Sequence, residues 1–332
     1  MPIYTGISSE AFRHPLDLQA EETLRTVPGF DLVARKFIEF LSERPQYVYM
    51  MGNSIQVGPR QYGNVYQIFR ECVRDLDIYP EPALFINQSP VANAYSLGQE
   101  HPCITLDTGL LDLLNEIELR AVIAHELGHI KCGHTTLSQM AIWTTQIISG
   151  LAEWTFGLSM LVTTGLLLAF AEWRRKAELS ADRAALLVMD DLNPVLLTMM
   201  KVAGGSQKHG HELSLDEFLR QSERYQEMDQ DGLNQVYKFM LYNNLSTGIF
   251  LTHPFTIERT HYLREWSSSE DFQQIRSGNY RRAGAEGAVE VPVESPDPAV
   301  DTAQAEVDAL RRQIEDLQQE IDRIKRSGSR GV

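Results

Sequence analysis

The sequence predicts an α+β fold that is mostly helical, with a small β-sheet beside one histidine-bearing helix and a coiled coil near the C-terminal end. Three observations predict it. Apolar residues recur at three- and four-residue spacing through much of residues 10–277, the period of a helix. Three short apolar runs separated by Pro and Gly, namely Ala83 to Asn87, Val91 to Leu97 and Cys103 to Asp107, read instead as strands. Val307, Leu310, Ile314, Leu317, Ile321 and Ile324 alternate at spacings of three and four, the seam of a coiled coil.

Taken in order, residues 10–43 read as two helices parted by Val27-Pro28-Gly29, the second capped by Asp31 and striped by Leu32, Phe37, Ile38 and Leu41. Tyr47 to Met51 is an apolar run consistent with a strand. Val65, Ile68, Phe69, Val73 and Leu76 return to helical spacing over Tyr62 to Leu76. The three strands follow, and then a helix over Glu116 to His134. Helices are also expected over 175–189, over 193–203 from Asn193-Pro194, over Leu215 to Gln226, over Gly232 to Tyr242 and after Pro254. Residues 278–300 turn to Gly, Ala, Glu and Pro without apolar period, which reads as a flexible linker. The organisation expected is one domain over 1–277, that linker, and a coiled-coil tail over 301–326. Just over two heptads are marginal alone, so self-association or docking to a partner helix is expected through 301–326.

Composition excludes some functions. A net charge of −15 argues against nucleic acid as a partner, because phosphate binding needs a basic surface. Cys72, Cys103 and Cys132 are too few and too scattered for a disulfide framework. The first residues lack a basic head followed by an apolar core, so no secretory signal is evident, and a cytoplasmic setting is expected. Cys132 lies near the metal-facing side of its helix but reads as a buried structural thiol.

The chemistry centres on His125-Glu126-Leu127-Gly128-His129. Four residues advance a helix by about 400°, so the two imidazoles project from one face a turn apart. That pair can hold one zinc ion, with Glu126 beside it to hold an attacking water. Such a pentapeptide also arises by chance, leaving a solvated helix face as the rival reading. Gly128 argues mildly for a site, since a mid-helix glycine costs about 1 kcal/mol relative to alanine. A metal or another backbone approaching closely would explain it.

Leu137 to Trp173 carries only two charges, Glu153 and Glu172. Thr155 to Ala171 has none, which approaches the lower limit of about 17 residues for a spanning helix. Basic residues flank the segment at Lys131 and at Arg174-Arg175-Lys176. A helical hairpin dipping into the cytoplasmic face of a membrane, and a hairpin buried in protein, both fit. Beyond it, Glu178 and Asp182 share a helix face. They suit a third ligand and a second carboxylate that orients a ligand histidine, although such runs are commonly solvated faces.

HELGH followed by AELSADRAA resembles the HtpX-type and CAAX prenyl-protease family of zinc metallopeptidases, within the gluzincins. Asn93-Ala94-Tyr95 is similar to that family's upstream strand, whose edge lines the substrate cleft. Thr252-His253-Pro254 with Arg259 is similar to its H-P-x-x-x-x-R stretch. The four motifs occur in the family's order over residues 60–265. The resemblance implies a zincin-like core and a zinc-dependent endopeptidase acting on protein or peptide substrates. One zinc per chain would be held by His125, His129 and Glu178. Glu126 would act as base on a zinc-bound water, and His253 or Arg259 would steady the oxyanion. Asp182 would orient a ligand histidine, and Asn93, Ala94 and Tyr95 would wall the cleft. The chain departs from the family in lacking long apolar segments before Glu116 and in its linker and heptad tail. Two other readings stand beside it. One is a non-proteolytic chaperone-like or assembly protein built on the same fold, and the other is a membrane scaffold.

Overall fold

The computed structural model describes residues 3–40, 44–98, 101–150, 160–230, 232, 234 and 255–283. The chain divides into two units, Met1–Ala283 and Gly284–Val332, and the second lies outside the described residues, as do the heptad seam and nearly all of Gly232 to Tyr242.

The break expected at Val27-Pro28-Gly29 separates α1 (Pro15–Thr26) from α2 (Phe30–Phe40), with Gly29 at φ 91°. His14 opens α1, its Nδ1 accepting the Leu16 N–H, and Pro15 supplies a first-turn residue that needs no donor. Tyr47 to Met51, expected as a strand, is helical within α3 (Arg44–Asn53). Five apolar residues cannot be assigned by period. Here Met50 alone is buried, against Phe85 and Cys103, whereas strand alternation would have buried Val48 with it, and Val48 is 60% exposed. The strand of this region is the two-residue β1 (Ile55–Gln56), too short to leave a pattern.

After α4 (Gly63–Asp75) come β2 (Ala83–Asn87), β3 (Ala94–Leu97) and β4 (Cys103–Asp107). β3 begins three residues later than the apolar run implied. The sheet is mixed, in the order β1-β2-β4-β3. β2 and β4 are parallel, the outer pairs are antiparallel, and Ala94 lies opposite Leu106. Period-two alternation sends Leu84, Ile86, Ile104 and Leu106 into the main core and Phe85 and Cys103 to the face covered by α3.

A short α5 (Thr108–Leu113), not foreseen, leads to α6 (Glu116–Lys131). A reciprocal cap starts α6: Asn115 accepts the Glu118 N–H at 3.0 Å, and Glu118 accepts the Asn115 N–H at 2.9 Å. The helix stops before His134, where it was expected to end, because Gly133 takes φ 72° and redirects the chain. α7 (His134–Gly150) and α8 (Met160–Met189) follow. α8 is a single helix, so the expected boundary near residue 174 does not exist; residues 166–189 contain no Gly or Pro to break it.

Leu137, Met140, Ala141, Leu166, Phe170 and Trp173, from the apolar segment, are buried together with Leu24, Phe30, Val33 and Phe37 of α1 and α2. No helix among the described residues is long and apolar enough to cross a membrane. α9 (Leu192–Gly204), α10 (Leu215–Asp229), α11 (Thr256–Ser267) and α12 (Glu270–Arg276) complete the unit. Its last residues return to its first: Ile7 pairs with Arg282, and the Ala283 N–H donates to the Gly6 carbonyl at 2.8 Å. All three cysteines are buried and none is in a disulfide, and burial pushes the Cys72 thiol up to about 12.

Candidate metal centre

α6 and α8 cross where neither carries a bulky side chain. A Cβ on Gly128 would fall 2.6 Å from the Ala184 Cβ and 3.0 Å from the Ala181 Cα. This close approach brings Glu178 over the histidine face of α6. The His125 and His129 rings meet edge to face with centroids 4.9 Å apart. Glu178 Oε2 lies 3.3 Å from His125 Nε2, and Glu178 Oε1 lies 3.4 Å from His129 Nε2. One ligand atom from each residue lies within 4.8 Å of the others, and among the described residues this is the group of three that could hold a metal ion.

The outer nitrogens of both rings are engaged. His125 Nδ1 lies 3.0 Å from Asp182 Oδ1. Asp182 in turn accepts two bonds from Arg259, from Nε at 2.8 Å and Nη2 at 2.5 Å, while Arg259 Nη1 reaches to 3.3 Å from Glu178. Burial disfavours the Asp182 carboxylate, but Arg259 and then His125 hold its pKa below the usual value. Burial likewise opposes charge on His125, yet Asp182 and Glu178 outweigh it and raise its pKa to about 10. A divalent cation would replace that proton among the carboxylates.

His129 is supported differently. Its Nδ1 lies 3.0 Å from His134 Nδ1, and His134 Nε2 lies 3.0 Å from Asp17 Oδ2 on α1. Asp17 also accepts from Arg13 Nε at 2.9 Å, Arg13 Nη2 at 3.0 Å and Ser180 Oγ at 2.6 Å. Sequence reasoning missed both His134 and Asp17. On a continuing helix a residue five beyond His129 points about 140° away from it. Only the turn at Gly133 swings His134 back, so a glycine before that histidine was the available signal. Asp17 had none.

A cleft of about 300 Å³ opens beside the cluster, with Asn93, Ala94, His125, Glu126, Glu178, Asp182 and Arg259 in its walls. Val122, Val195, Met199 and Val202 make much of the remaining lining apolar. Glu126 is buried. Tyr95 is elsewhere: the pleat turns it to the opposite face of the sheet, where it packs with Met50, Phe85 and Cys103. Asn93 and Ala94 therefore reach the cleft and their neighbour does not. Arg259, expected near an oxyanion, is turned onto Asp182 and Glu178. His253 lies outside the described residues.

Much of the chain is similar to known proteins. The family model described as Peptidase family M48 matches residues 59–267. The chain is 32% identical over 277 residues to the plastoglobule-localized metallopeptidase 48, chloroplastic, of Arabidopsis thaliana, an alignment covering 82% of this chain and 77% of that protein. It is 25% identical to a protease HtpX homolog of Campylobacter curvus (strain 525.92), over 64% of this chain and 78% of that protein. It is 26% identical to a protease HtpX homolog of Burkholderia cenocepacia (strain HI2424), over 68% and 82% respectively.

Proposed function

Because the chain belongs to peptidase family M48 and is a metallopeptidase, we propose that it is a zinc-dependent endopeptidase whose metal is held by His125, His129 and Glu178. The observation that carries this is the donor set: two imidazole nitrogens and one carboxylate, with ligand atoms within 4.8 Å on two helices packed without an intervening side chain. Two nitrogens and one oxygen are the ligand chemistry of a catalytic zinc site with a position left open. Bound there, zinc supplies Lewis acidity toward a carbonyl and lowers the pKa of a coordinated water toward about 7.

The protein groups do the rest. Glu126, in the cleft wall, accepts the proton of the attacking water and returns it to the leaving amine nitrogen. Asp182 receives the Nδ1–H of His125 and so leaves its Nε2 lone pair for the metal. Arg259 neutralises Asp182 and holds it in place, a positioning task, and the oxyanion role falls to His253 in this reading. An apolar side chain of the substrate suits the wall formed by Val122, Val195, Met199 and Val202.

Two further expectations belong to the same proposal. Residues 301–326 associate with a second copy or a partner helix. The protein is cytoplasmic and contacts a membrane face peripherally through 137–173, a reading that rests on the apolar run and its basic flanks. Metal analysis of the purified full chain tests the central reading. One zinc per chain is expected, together with cleavage of an unfolded protein that stops on chelation. Full zinc occupancy in His129→Ala would overturn the ligand assignment.

A further inference from the structure

The hydrogen bonds behind His129 form a chain with only one consistent arrangement of protons. If His129 Nε2 faces the metal as a lone pair, its Nδ1 carries the hydrogen. Nδ1 lies 3.0 Å from His134 Nδ1, and two ring nitrogens at that distance need one donor and one acceptor. His134 Nδ1 is then bare, so its proton sits on Nε2. That nitrogen is 3.0 Å from Asp17 Oδ2, which can only accept. A proton on both nitrogens of His134 would force His129 Nδ1 to accept, move its hydrogen to Nε2, and block ligation.

The far end of the chain is built to stay a carboxylate. Asp17 is fully buried, as is Ser180, and His134 is 1% exposed. Arg13 grips both Asp17 oxygens, and Ser180 Oγ donates to it at 2.6 Å while accepting the His14 N–H at 3.0 Å. Burial works against the charge, but His134 and Arg13 hold the Asp17 carboxyl well below the usual carboxylate range.

We propose that His134 and Asp17 are positioning residues of the metal centre, a relay that fixes the tautomer and orientation of His129. Through this relay α1, which lies outside the residues matched by the family model, becomes a working part of the site. The inference rests on His129 being a zinc ligand.

Zinc competition against a chromophoric chelator, on the full chain, tests it. His134→Ala should raise the zinc dissociation constant about 10- to 100-fold. His134→Gln, whose amide can accept from His129 and donate to Asp17, should recover most of that loss. Zinc binding by His134→Ala as tight as the parent's overturns the relay. Should that variant fail to fold, the ¹⁵N spectrum of histidine-labelled, zinc-loaded parent protein decides. A neutral His134 with its proton on Nε2 supports the relay, and a cationic His134 or the other tautomer overturns it. His129→Ala separates the two levels. If it loses zinc while His134→Ala does not, the relay alone fails; if it keeps zinc, the ligand assignment fails and takes the relay with it.

Discussion

The two histidines of the HELGH helix are backed by the same chemistry drawn from different distances. His125 meets its carboxylate directly, and Asp182 is steadied by Arg259, both from the stretch matched by the family model. His129 reaches a carboxylate only through His134, and that carboxylate, Asp17 with its Arg13, comes from a helix outside the matched stretch. In each case an arginine pins an aspartate that points an imidazole. The difference is in what holds each arginine. Arg259 has Asp182 and Glu178 as its carboxylate neighbours, whereas Arg13 also pairs with Glu21 at 2.7 Å. One support is direct and its arginine's second contact is 3.3 Å long, whereas the other runs through an extra imidazole and its arginine's second contact is a 2.7 Å bond.

The largest effect should leave both supports untouched. Glu126→Gln keeps volume and hydrogen bonding but removes the base, so peptidase activity should fall about 10²- to 10⁴-fold with zinc content unchanged. Turnover within a few-fold of the parent, in the same assay, would remove Glu126 from the mechanism. Next, Asp182→Ala and Asp17→Ala set the two supports against each other. Removing Asp182 leaves Arg259 only its 3.3 Å approach to Glu178, and breaking a buried pair costs about 3–5 kcal/mol. Removing Asp17 leaves Arg13 its bond to Glu21, so the loss should be smaller. Denaturant unfolding of the zinc-free proteins checks the order, and equal losses would erase the distinction drawn between the supports.

Gly128→Ala should be milder. Helix propensity gains about 1 kcal/mol, but overpacking costs about 1–3 kcal/mol, and Ala181 backbone cannot rotate away. Net destabilisation of up to about 2 kcal/mol is expected, with weaker zinc binding as Glu178 is pushed from both histidines at once. The smallest effect is a pH dependence on the α1 side. Burial, then Arg183 and Lys176, lower the His14 pKa from 6.5 to about 4. Between those values the folded state binds fewer protons than the unfolded one, so stability rises with pH across that window and is lost on acidification. His14→Asn, which retains a capping side chain, should flatten the slope of melting temperature between pH 4 and 6.5.

Much of the Asp182 side was legible in the sequence, because its parts lie on helices whose spacing carries the geometry. His125 and His129 are four apart, as are Glu178 and Asp182, and the mid-helix Gly128 pointed to a close approach that turned out to be α8. The break at Val27-Pro28-Gly29 and the strands β2 and β4 follow from equally local rules. The Asp17 side was illegible because it depends on one φ angle at Gly133 and on contacts between residues far apart in the chain. Tyr95 shows the same limit on a smaller scale. A motif marks a strand, but only the register decides which side chains reach the cleft.

The Ser180–Asp17 bond also sets an order of events during synthesis. Its partners are 163 residues apart, and chain growth runs at about 5–20 residues per second. α1 and α2 therefore leave the ribosome roughly 8–30 s before α8 exists to cover them. Throughout that interval Leu24, Phe30, Val33 and Phe37, all buried at the end, have no partner surface from Leu166, Phe170 or Trp173. The nascent chain presents an apolar amphipathic segment of the kind that holdase chaperones bind, and it does so before Glu178 has been made. Metal loading is thus late in the life of the nascent chain, and a truncation ahead of residue 166 leaves a product that lacks both the α8 cover of its first helices and the third member of its ligand set.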